Sequence, residues 1–194
     1  MALRKGIAYR HLVVPYTRRS RKKSKAYIKT SPPIKIVKFQ MGNVNRQFQY
    51  KLALISKVSI QVRDNAIEAA RLSINRQLES KLGTSNYKFL IRKYPHHVLR
   101  EHKMLTGAGA DRMSSGMSLA FGKPIGVAAQ VYAGEEILVI GVDKNGLALA
   151  KDAIRKIRAK LPGSTTLKIE TVQTQAQEQV QEDQQEEQVM AVST

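Results

Sequence analysis

Short stretches in which apolar and polar residues alternate run through the middle of the chain. This period of two is typical of β-strands that bury one face against a core and expose the other to water. Phe48, Tyr50, Leu52 and Leu54, which alternate with Gln49, Lys51 and Ala53, form the clearest example. The same pattern predicts several strands within 34–62, and further strands at 87–94, around 125–133, at 136–142 and at 165–169.

Two other stretches carry apolar residues at helical spacing. The first covers 64–82 and the second covers about 144–160, and each presents one apolar face that can pack on a sheet. Short polar residues and glycine flank them, as is usual at helix ends. The residues expected to cap the helices are Asp64 and Gly83 for the first, and Asp143 or Asn145 for the second.

These elements predict an α+β fold, in which two helices pack on a mixed, mostly antiparallel sheet. We place this domain at 34–169, with a basic N-terminal extension at 1–33 and a long Gly-rich loop at 103–117. The chain ends in an acidic, Gln-rich tail at 170–194, which holds six acidic residues and no Lys or Arg. A segment with so little to bury is expected to be disordered.

The charge of the chain narrows the class of partner. It holds 33 Lys and Arg against 15 Asp and Glu, for a net charge of +18, and residues 1–169 alone carry +24. This balance favours a polyanionic partner, with nucleic acid ahead of a membrane surface. No apolar run approaches the ~20 residues of a membrane span, so we expect no membrane partner.

The absence of cysteine excludes a disulfide scaffold and thiolate chemistry. The N-terminal residues are basic but lack the continuous apolar stretch of a secretory signal. Together these features favour a protein of the cell interior, and we expect it in the cytoplasm.

A like-charge run occupies residues 18–25 of the extension, and Tyr9, Tyr16 and Tyr27 are interleaved with the basic residues around it. Such a run repels itself and orders only against counter-charge. Aromatic rings between cations can stack on unpaired bases while the cations neutralise phosphates. A solvated basic tail and a nuclear address signal are the two alternatives.

The loop at 103–117 cannot form a good strand or helix, because Gly107, Gly109 and Gly116 weaken both. Its small residues 107–110 allow the backbone to approach another surface closely, and Asp111 and Arg112 follow directly. Loops of this length are usually functional or disordered. The GxG within it is weak support for a nucleotide site, since the strand and helix of a dinucleotide fingerprint are missing around it.

Three of the four histidines lie within 94–102 and raise the question of a metal site. His96 and His97 would point in opposite directions on an extended chain, and no cysteine is available, so we expect no metal. Contacts with RNA and a buried or capping role both stay open for these rings. Ser114 or Ser115 with His102 and Asp111 could be written as a catalytic triad, but closeness within one Gly-rich loop is poor support. We therefore predict neither an enzyme nor a cofactor.

Several exact stretches of sequence point to a known family. They are KMLTGAGADR at 103–112 with GM at 116–117 and AFGKP at 120–124, RDNAIEAAR at 63–71, YPHHVLRE at 94–101, YR at 9–10, PYTR at 15–18 and MGN at 41–43. In these the chain closely resembles the universal large-subunit ribosomal protein sixteen family in its archaeal and eukaryotic form, also called the ten-e family. Ser118 and Gln130 depart from it, since both stand where the family commonly has Arg.

The resemblance implies a structural constituent of the large ribosomal subunit. Its body would bind large-subunit rRNA, and its loop would point to the peptidyl-transferase centre and the acceptor end of the aminoacyl-site tRNA. Other implied partners are neighbouring ribosomal proteins and 5S rRNA, without homo-oligomers. The alternative is a free-standing RNA-binding or RNA-processing factor with the same fold.

The candidate site residues fall into two groups. The RNA-binding candidates are Tyr9, Arg10, Tyr16, Arg18, Arg19, Arg21, Lys22, Lys23, Lys25, Lys38, Arg63, Arg71, Arg92, His96, His97, Arg100 and Lys123. The residues expected near the tRNA and the peptidyl-transferase centre are Lys103, Met104, Gly107, Ala108, Gly109, Ala110, Asp111 and Arg112.

Overall fold

A computed structural model of the chain describes residues 4–13, 22, 24, 28, 30, 32–103, 107–109, 116–117 and 121–171. These residues form eight strands and two α-helices, with a few short 3-10 turns between them. In chain order the elements are β1 (Gln40–Gly42), β2 (Tyr50–Ser56), β3 (Ile60–Arg63), α1 (Asp64–Leu82), β4 (Tyr87–Ile91), β5 (His97–Glu101), β6 (Lys123–Val131), β7 (Glu136–Val142), α2 (Leu147–Ile157) and β8 (Thr165–Thr171).

The described strands divide between two sheets. A five-stranded sheet has the order β1-β4-β7-β2-β8, a three-stranded sheet has the order β3-β6-β5, and every pairing is antiparallel. The predicted α+β class is confirmed, although the prediction placed all the strands in one sheet. The two sheets separate at one corner, where the Ser56 N–H donates to the Glu135 carbonyl (3.1 Å) and the Gly134 N–H donates to the Ser56 carbonyl (2.8 Å).

Helix α1 has the predicted bounds, but its N-terminus differs from the prediction. The N-cap residue is Arg63, and Asp64 is the first helical residue. The Asp64 carboxylate is buried, and it accepts hydrogen bonds from the backbone N–H groups of Lys35 (3.2 Å) and Asn65 (2.8 Å). Asp64 therefore ties the segment before β1 to the start of the helix. Gly83 ends the helix at φ +75°, and its N–H donates to the Glu79 carbonyl.

Two differences from the alternating pattern have a local cause. Within the predicted strand region 34–62, the alternation of Val37, Phe39 and Met41 predicts a buried Val37, yet Val37 is exposed and Ile36 occupies the buried position beside it. The hydrogen bond from Lys35 to Asp64 accompanies this shift by one residue. Strand β5 was not predicted, because its consecutive buried residues His97, Val98 and Leu99 break the alternation.

Both helices contribute to one core with the inner face of the five-stranded sheet. Its fully buried side chains include Leu52, Phe89 and Ile140 from the strands, and Ile74 and Ile154 from the helices. Burying an aliphatic or aromatic side chain of this size stabilises the fold by ~1.5–3 kcal/mol. No helix in the described part of the chain combines the length and apolar character needed to span a bilayer.

Candidate nucleic-acid interface

The three-stranded sheet presents a row of polar side chains on the face opposite its core residues. Residues paired directly across antiparallel strands share a face. The register pairs Gln61 with Gln130, and it aligns both Arg63 and His97 with Ala128. This polar row is the surface on which the first residues of the chain lie.

Backbone carbonyls of the N-terminal segment accept hydrogen bonds from this row. The Gln61 N–H donates to the Arg10 carbonyl (2.8 Å), and its side-chain amide donates to the Tyr9 carbonyl (3.1 Å). The Gln130 amide donates to the Val13 carbonyl (3.0 Å). Residues 4–13, which belong to the predicted N-terminal extension, are thus attached to the body. Gln130, where the resemblance described above leads us to expect Arg, makes one of these attachments.

Tyr9 joins the segment to the end of β5. Its hydroxyl donates to a Glu101 carboxylate oxygen (3.3 Å), and Arg4 forms an ion pair with the same carboxylate. The Arg63 guanidinium carbon lies 5.7 Å from the Tyr9 ring centroid, in the range of a cation–π contact. Burial, and then the negative charge of Glu101, raise the pKa of Tyr9, so the phenol stays protonated and can keep donating.

The two ends of the long loop meet beside Glu101. The backbone N–H of His102 lies 3.1 Å from the Met117 sulfur, and the His102 and Phe121 rings are 4.9 Å apart. Gly122 follows at φ +116°, and a Cβ on it would lie 2.7 Å from the Met117 sulfur and 3.0 Å from the Glu101 carbonyl carbon. Only glycine therefore fits at position 122. We call the four residues that bring the two ends of the loop together the loop stem (His102, Met117, Phe121 and Gly122).

Exposed cations and small residues surround the loop stem. Lys103 and Lys123 are exposed on either side of it, and Gly107, Ala108 and Gly109 are exposed further out. Gly107 and Gly109 have φ values of +145° and +77°, which favour glycine at both positions. The remaining predicted loop residues, Met104, Ala110, Asp111 and Arg112, lie outside the described residues.

The two neighbouring histidines face opposite ways, as expected for an extended chain. His96 is exposed, and its Nδ1 lies 3.1 Å from the Tyr94 carbonyl oxygen. His97 is buried, and its Nδ1 has no hydrogen-bond partner. Burial, and then the charge of Arg100, lower the pKa of His97 and keep its ring neutral. Among the residues that the structure describes, no group of His, Asp and Glu could hold a metal ion.

Arg71 is also among the RNA-binding candidates, but its side chain is buried. It forms a forked ion pair with Glu68, with hydrogen bonds of 2.8 Å from Nε and 2.6 Å from a terminal nitrogen. Its other terminal nitrogen lies 3.2 Å from the Met41 sulfur. In this conformation neither Arg71 nor His97 presents a useful surface to RNA, and the geometry favours structural roles for both.

The remaining candidates are divided between the two sheets. Arg10, Arg63, Arg100 and Lys123 lie on or against the three-stranded sheet, near Tyr9 and Lys103. Arg92 follows β4 of the other sheet, where it pairs with Glu136 (3.3 Å). Lys22 and Lys38 are exposed. The candidates outside the described residues are Tyr16, Arg18, Arg19, Arg21, Lys23 and Lys25.

One basic surface of the structure lies outside the predicted site. The outer face of α2 and the turn after it carries exposed cations, and only Lys156 among them has an ion pair with an acid of the same helix, Asp152 (2.9 Å). The signal was available in the sequence as the helical spacing of Lys and Arg. This surface consists of Lys151, Arg155, Lys156, Arg158 and Lys160.

The fold and the surface around the loop stem define a basic α+β protein, in which cations and aromatic rings are grouped around a glycine-rich loop. Comparison with known proteins narrows the class. Residues 15–168 match the family described as Ribosomal protein L16p/L10e. The chain therefore belongs to the L16p/L10e family of ribosomal proteins.

Similar archaeal proteins include large ribosomal subunit protein uL16 of Staphylothermus marinus, which is 48% identical over 163 residues, covering 84% of this chain and 90% of the relative. The protein of that name from Archaeoglobus fulgidus is 42% identical over 170 residues, covering 88% and 94%. That from Thermofilum pendens is 41% identical over 174 residues, covering 89% and 100%. The predicted family is confirmed, and with it the prediction of a structural, non-enzymatic role.

Proposed function

We propose that this chain is a structural constituent of the large ribosomal subunit that binds large-subunit rRNA and orders the surroundings of the peptidyl-transferase centre. Family membership supports the ribosomal role, and such a protein works in the cytoplasm as part of the ribosome. The observation that carries the finer proposal is the loop stem. It closes the base of a glycine-rich loop between exposed Lys103 and Lys123.

Lys and Arg contacts with phosphates supply most of the affinity in this proposal. A charge of +24 over residues 1–169 is enough for many such contacts, and each one displaces counterions from the RNA. The affinity for large-subunit rRNA should therefore fall steeply as the salt concentration rises. A-form RNA hides its major groove, so recognition rests on shape, phosphates and unpaired bases.

The loop has a separate task. Its small residues 107–110 let the backbone come close to RNA, and Arg112 supplies a planar fork for a phosphate. We place this loop beside the acceptor end of the aminoacyl-site tRNA, where it positions the tRNA while the rRNA carries out catalysis. Neighbouring ribosomal proteins and 5S rRNA complete the proposed set of partners, and the chain acts as a single copy.

Crosslinking from positions 104 and 112 on large subunits with aminoacyl-site tRNA bound tests the loop directly. Crosslinks to the tRNA acceptor end and to peptidyl-transferase RNA are expected. Crosslinks to peripheral RNA alone would keep the ribosomal assignment but show that the loop has only a structural role, away from the peptidyl-transferase centre. Gly109→Val and Arg112→Ala should impair tRNA accommodation or late subunit maturation without unfolding the body, and normal translation at full occupancy would remove the loop from the mechanism.

A further inference from the structure

A cavity of about 270 Å³ lies between the N-terminal segment, the start of α1 and the three-stranded sheet. Its walls include the apolar side chains of Pro33, Leu99, Ile125 and Val127, and the ring of Tyr9. The volume falls just below the ~300–1,000 Å³ of pockets that hold drug-sized ligands. It suits one planar, partly apolar group better than a larger ligand.

One residue of the cavity wall carries a buried polar atom that has no partner. Asn65 lines the cavity, and its side-chain oxygen is buried without a hydrogen-bond partner. Buried polar atoms in folded proteins nearly always have a partner, so an unpaired one indicates where a ligand can bind. Each of the four RNA bases carries an N–H donor on its Watson–Crick edge that can fill this role.

The charges around the cavity favour a phosphate beside that group. Lys35, Arg63 and Lys103 line the cavity, and both lysines are exposed. The two acids that also line it already have partners. Asp64 accepts backbone hydrogen bonds, and Glu101 is held by Arg4 and Tyr9. The two lysines are therefore available to an anion at the mouth. Arg63 already donates to the Arg4 carbonyl (3.0 Å) and lies over the Tyr9 ring, so it adds positive charge and forms part of the wall.

We propose that this cavity binds a single unstacked nucleotide of RNA, with the base inside and its phosphate at the basic mouth. The base would lie against the wall formed by Tyr9 and Arg63. The Asn65 side chain, whose oxygen is buried, would turn toward the base to accept its N–H. Aromatic rings and guanidinium groups are the usual stacking surfaces for splayed-out bases. This inference rests on the proposed rRNA-binding function and specifies one site within it.

Gly126 offers a clean way to fill the cavity. It lines the cavity within β6, and a Cβ built on it meets no atom within 4 Å. Its φ lies outside the left-handed range, so a larger residue fits the strand. Gly126→Leu should therefore occupy the cavity and leave the fold intact. Ala148→Leu, on the exposed surface of α2, adds bulk away from the cavity and serves as the control.

The test titrates the full-length protein with single-stranded RNA pentamers of each of the four nucleotides, and with an abasic pentamer that has the same phosphates. NMR follows the Asn65 side-chain amide and the Gly126 backbone amide. At least one pentamer should shift both signals, and the abasic pentamer should shift neither. Gly126→Leu should weaken that pentamer's binding about tenfold, which is within the range for losing one stacked base. Ala148→Leu should leave the affinity unchanged.

Equal shifts with the abasic pentamer would reduce the cavity to a phosphate site and overturn the proposal. It would also fail if no pentamer moved the two signals, or if Gly126→Leu bound the pentamer like the wild type. Filter binding of the same variants to large-subunit rRNA separates the two claims. If the protein binds rRNA in a salt-sensitive way but no pentamer shifts the Asn65 and Gly126 signals, the proposed function holds and the nucleotide site is wrong. If the wild-type protein does not bind rRNA, the proposed function is wrong.

Discussion

The ion pair between Glu68 and Arg71 provides a sharp test, because Arg71 is an RNA-binding candidate by sequence and is buried in the structure. The change that tests it is Glu68→Gln, which keeps the shape of the side chain and removes its charge. Arg71 would then remain charged and lose its forked partner. A buried charge that loses its partner destabilises the folded state. If Arg71 were instead exposed and available to bind RNA, the loss of Glu68's charge would leave the stability of the free protein nearly unchanged.

The geometry sets the size of the effect. Removing one partner from a fully buried pair costs about 3–5 kcal/mol. The Arg71 and Glu68 side chains keep 11% and 17% of their exposure, so water can relieve part of that loss. Glutamine also retains one acceptor oxygen. We expect the free energy of unfolding to fall by about 2 kcal/mol, which lowers Tm by about 4–8 °C in a chain of this length.

Thermal unfolding followed by circular dichroism measures this change. Glu79→Gln is the matched control, because it alters an exposed acid on the same helix and should change stability by less than about 0.5 kcal/mol. A second pair of variants separates structure from binding. Arg71→Met should destabilise the protein but keep its rRNA affinity when folded, whereas Lys103→Met should do the reverse. An unchanged Tm for Glu68→Gln, together with weak rRNA binding by folded Arg71→Met, would refute the structural assignment.

Three further predictions follow from the loop stem, the polar row and the buried histidine. Gly122→Ala should destabilise the protein by at least about 2 kcal/mol in urea unfolding, because its Cβ meets the Glu101 backbone at a positive φ, and Gly126→Ala should be neutral. Gln61→Leu should lower the free energy of unfolding by about 1–2 kcal/mol and speed tryptic cleavage within residues 4–13, since it removes the donor to the Tyr9 carbonyl; an unchanged cleavage rate would show that this bond does not hold the segment. Because the folded-state pKa of His97 lies below its ordinary value of 6.5, the unfolded chain binds the proton more readily. Stability should therefore be complete above that value and fall as the pH drops below it, and His97→Leu should flatten this part of the Tm–pH curve.

Local pattern was sufficient for the elements whose burial follows one period. Helix α1 has the predicted bounds because Ile67, Ala70, Ile74 and Leu78 form a continuous buried stripe that ends at Gly83. Strand β7 also has the predicted bounds, although its residues 137–140 are all buried, because its apolar run begins just after the turn at Gly134.

The partition into two sheets could not be predicted in the same way. It depends on the corner where Ser56 meets Gly134 and Glu135, a contact between residues far apart in the chain. No local pattern encodes such a pairing.

The candidate site shows the same division. Lys103, Lys123 and residues 107–109 are exposed, as their residue types predict, because charged and small residues form poor cores. The interior positions of Arg71 and His97 depend on neighbours from other elements, namely Met41 for Arg71 and strand β6 for His97. The cavity beside Asn65 likewise exists only because the N-terminal segment folds back on the three-stranded sheet.

The most direct test of the central claim is the amount of this protein on purified large subunits after a high-salt wash, measured by quantitative mass spectrometry against other large-subunit proteins. A structural constituent should remain in equimolar amount, because in the assembled subunit contacts with the shape of the rRNA and with neighbouring ribosomal proteins also hold it, and salt weakens these less than it weakens phosphate contacts. A protein that is substoichiometric, or that the wash removes, would contradict the claim and identify a free-standing RNA-binding factor instead.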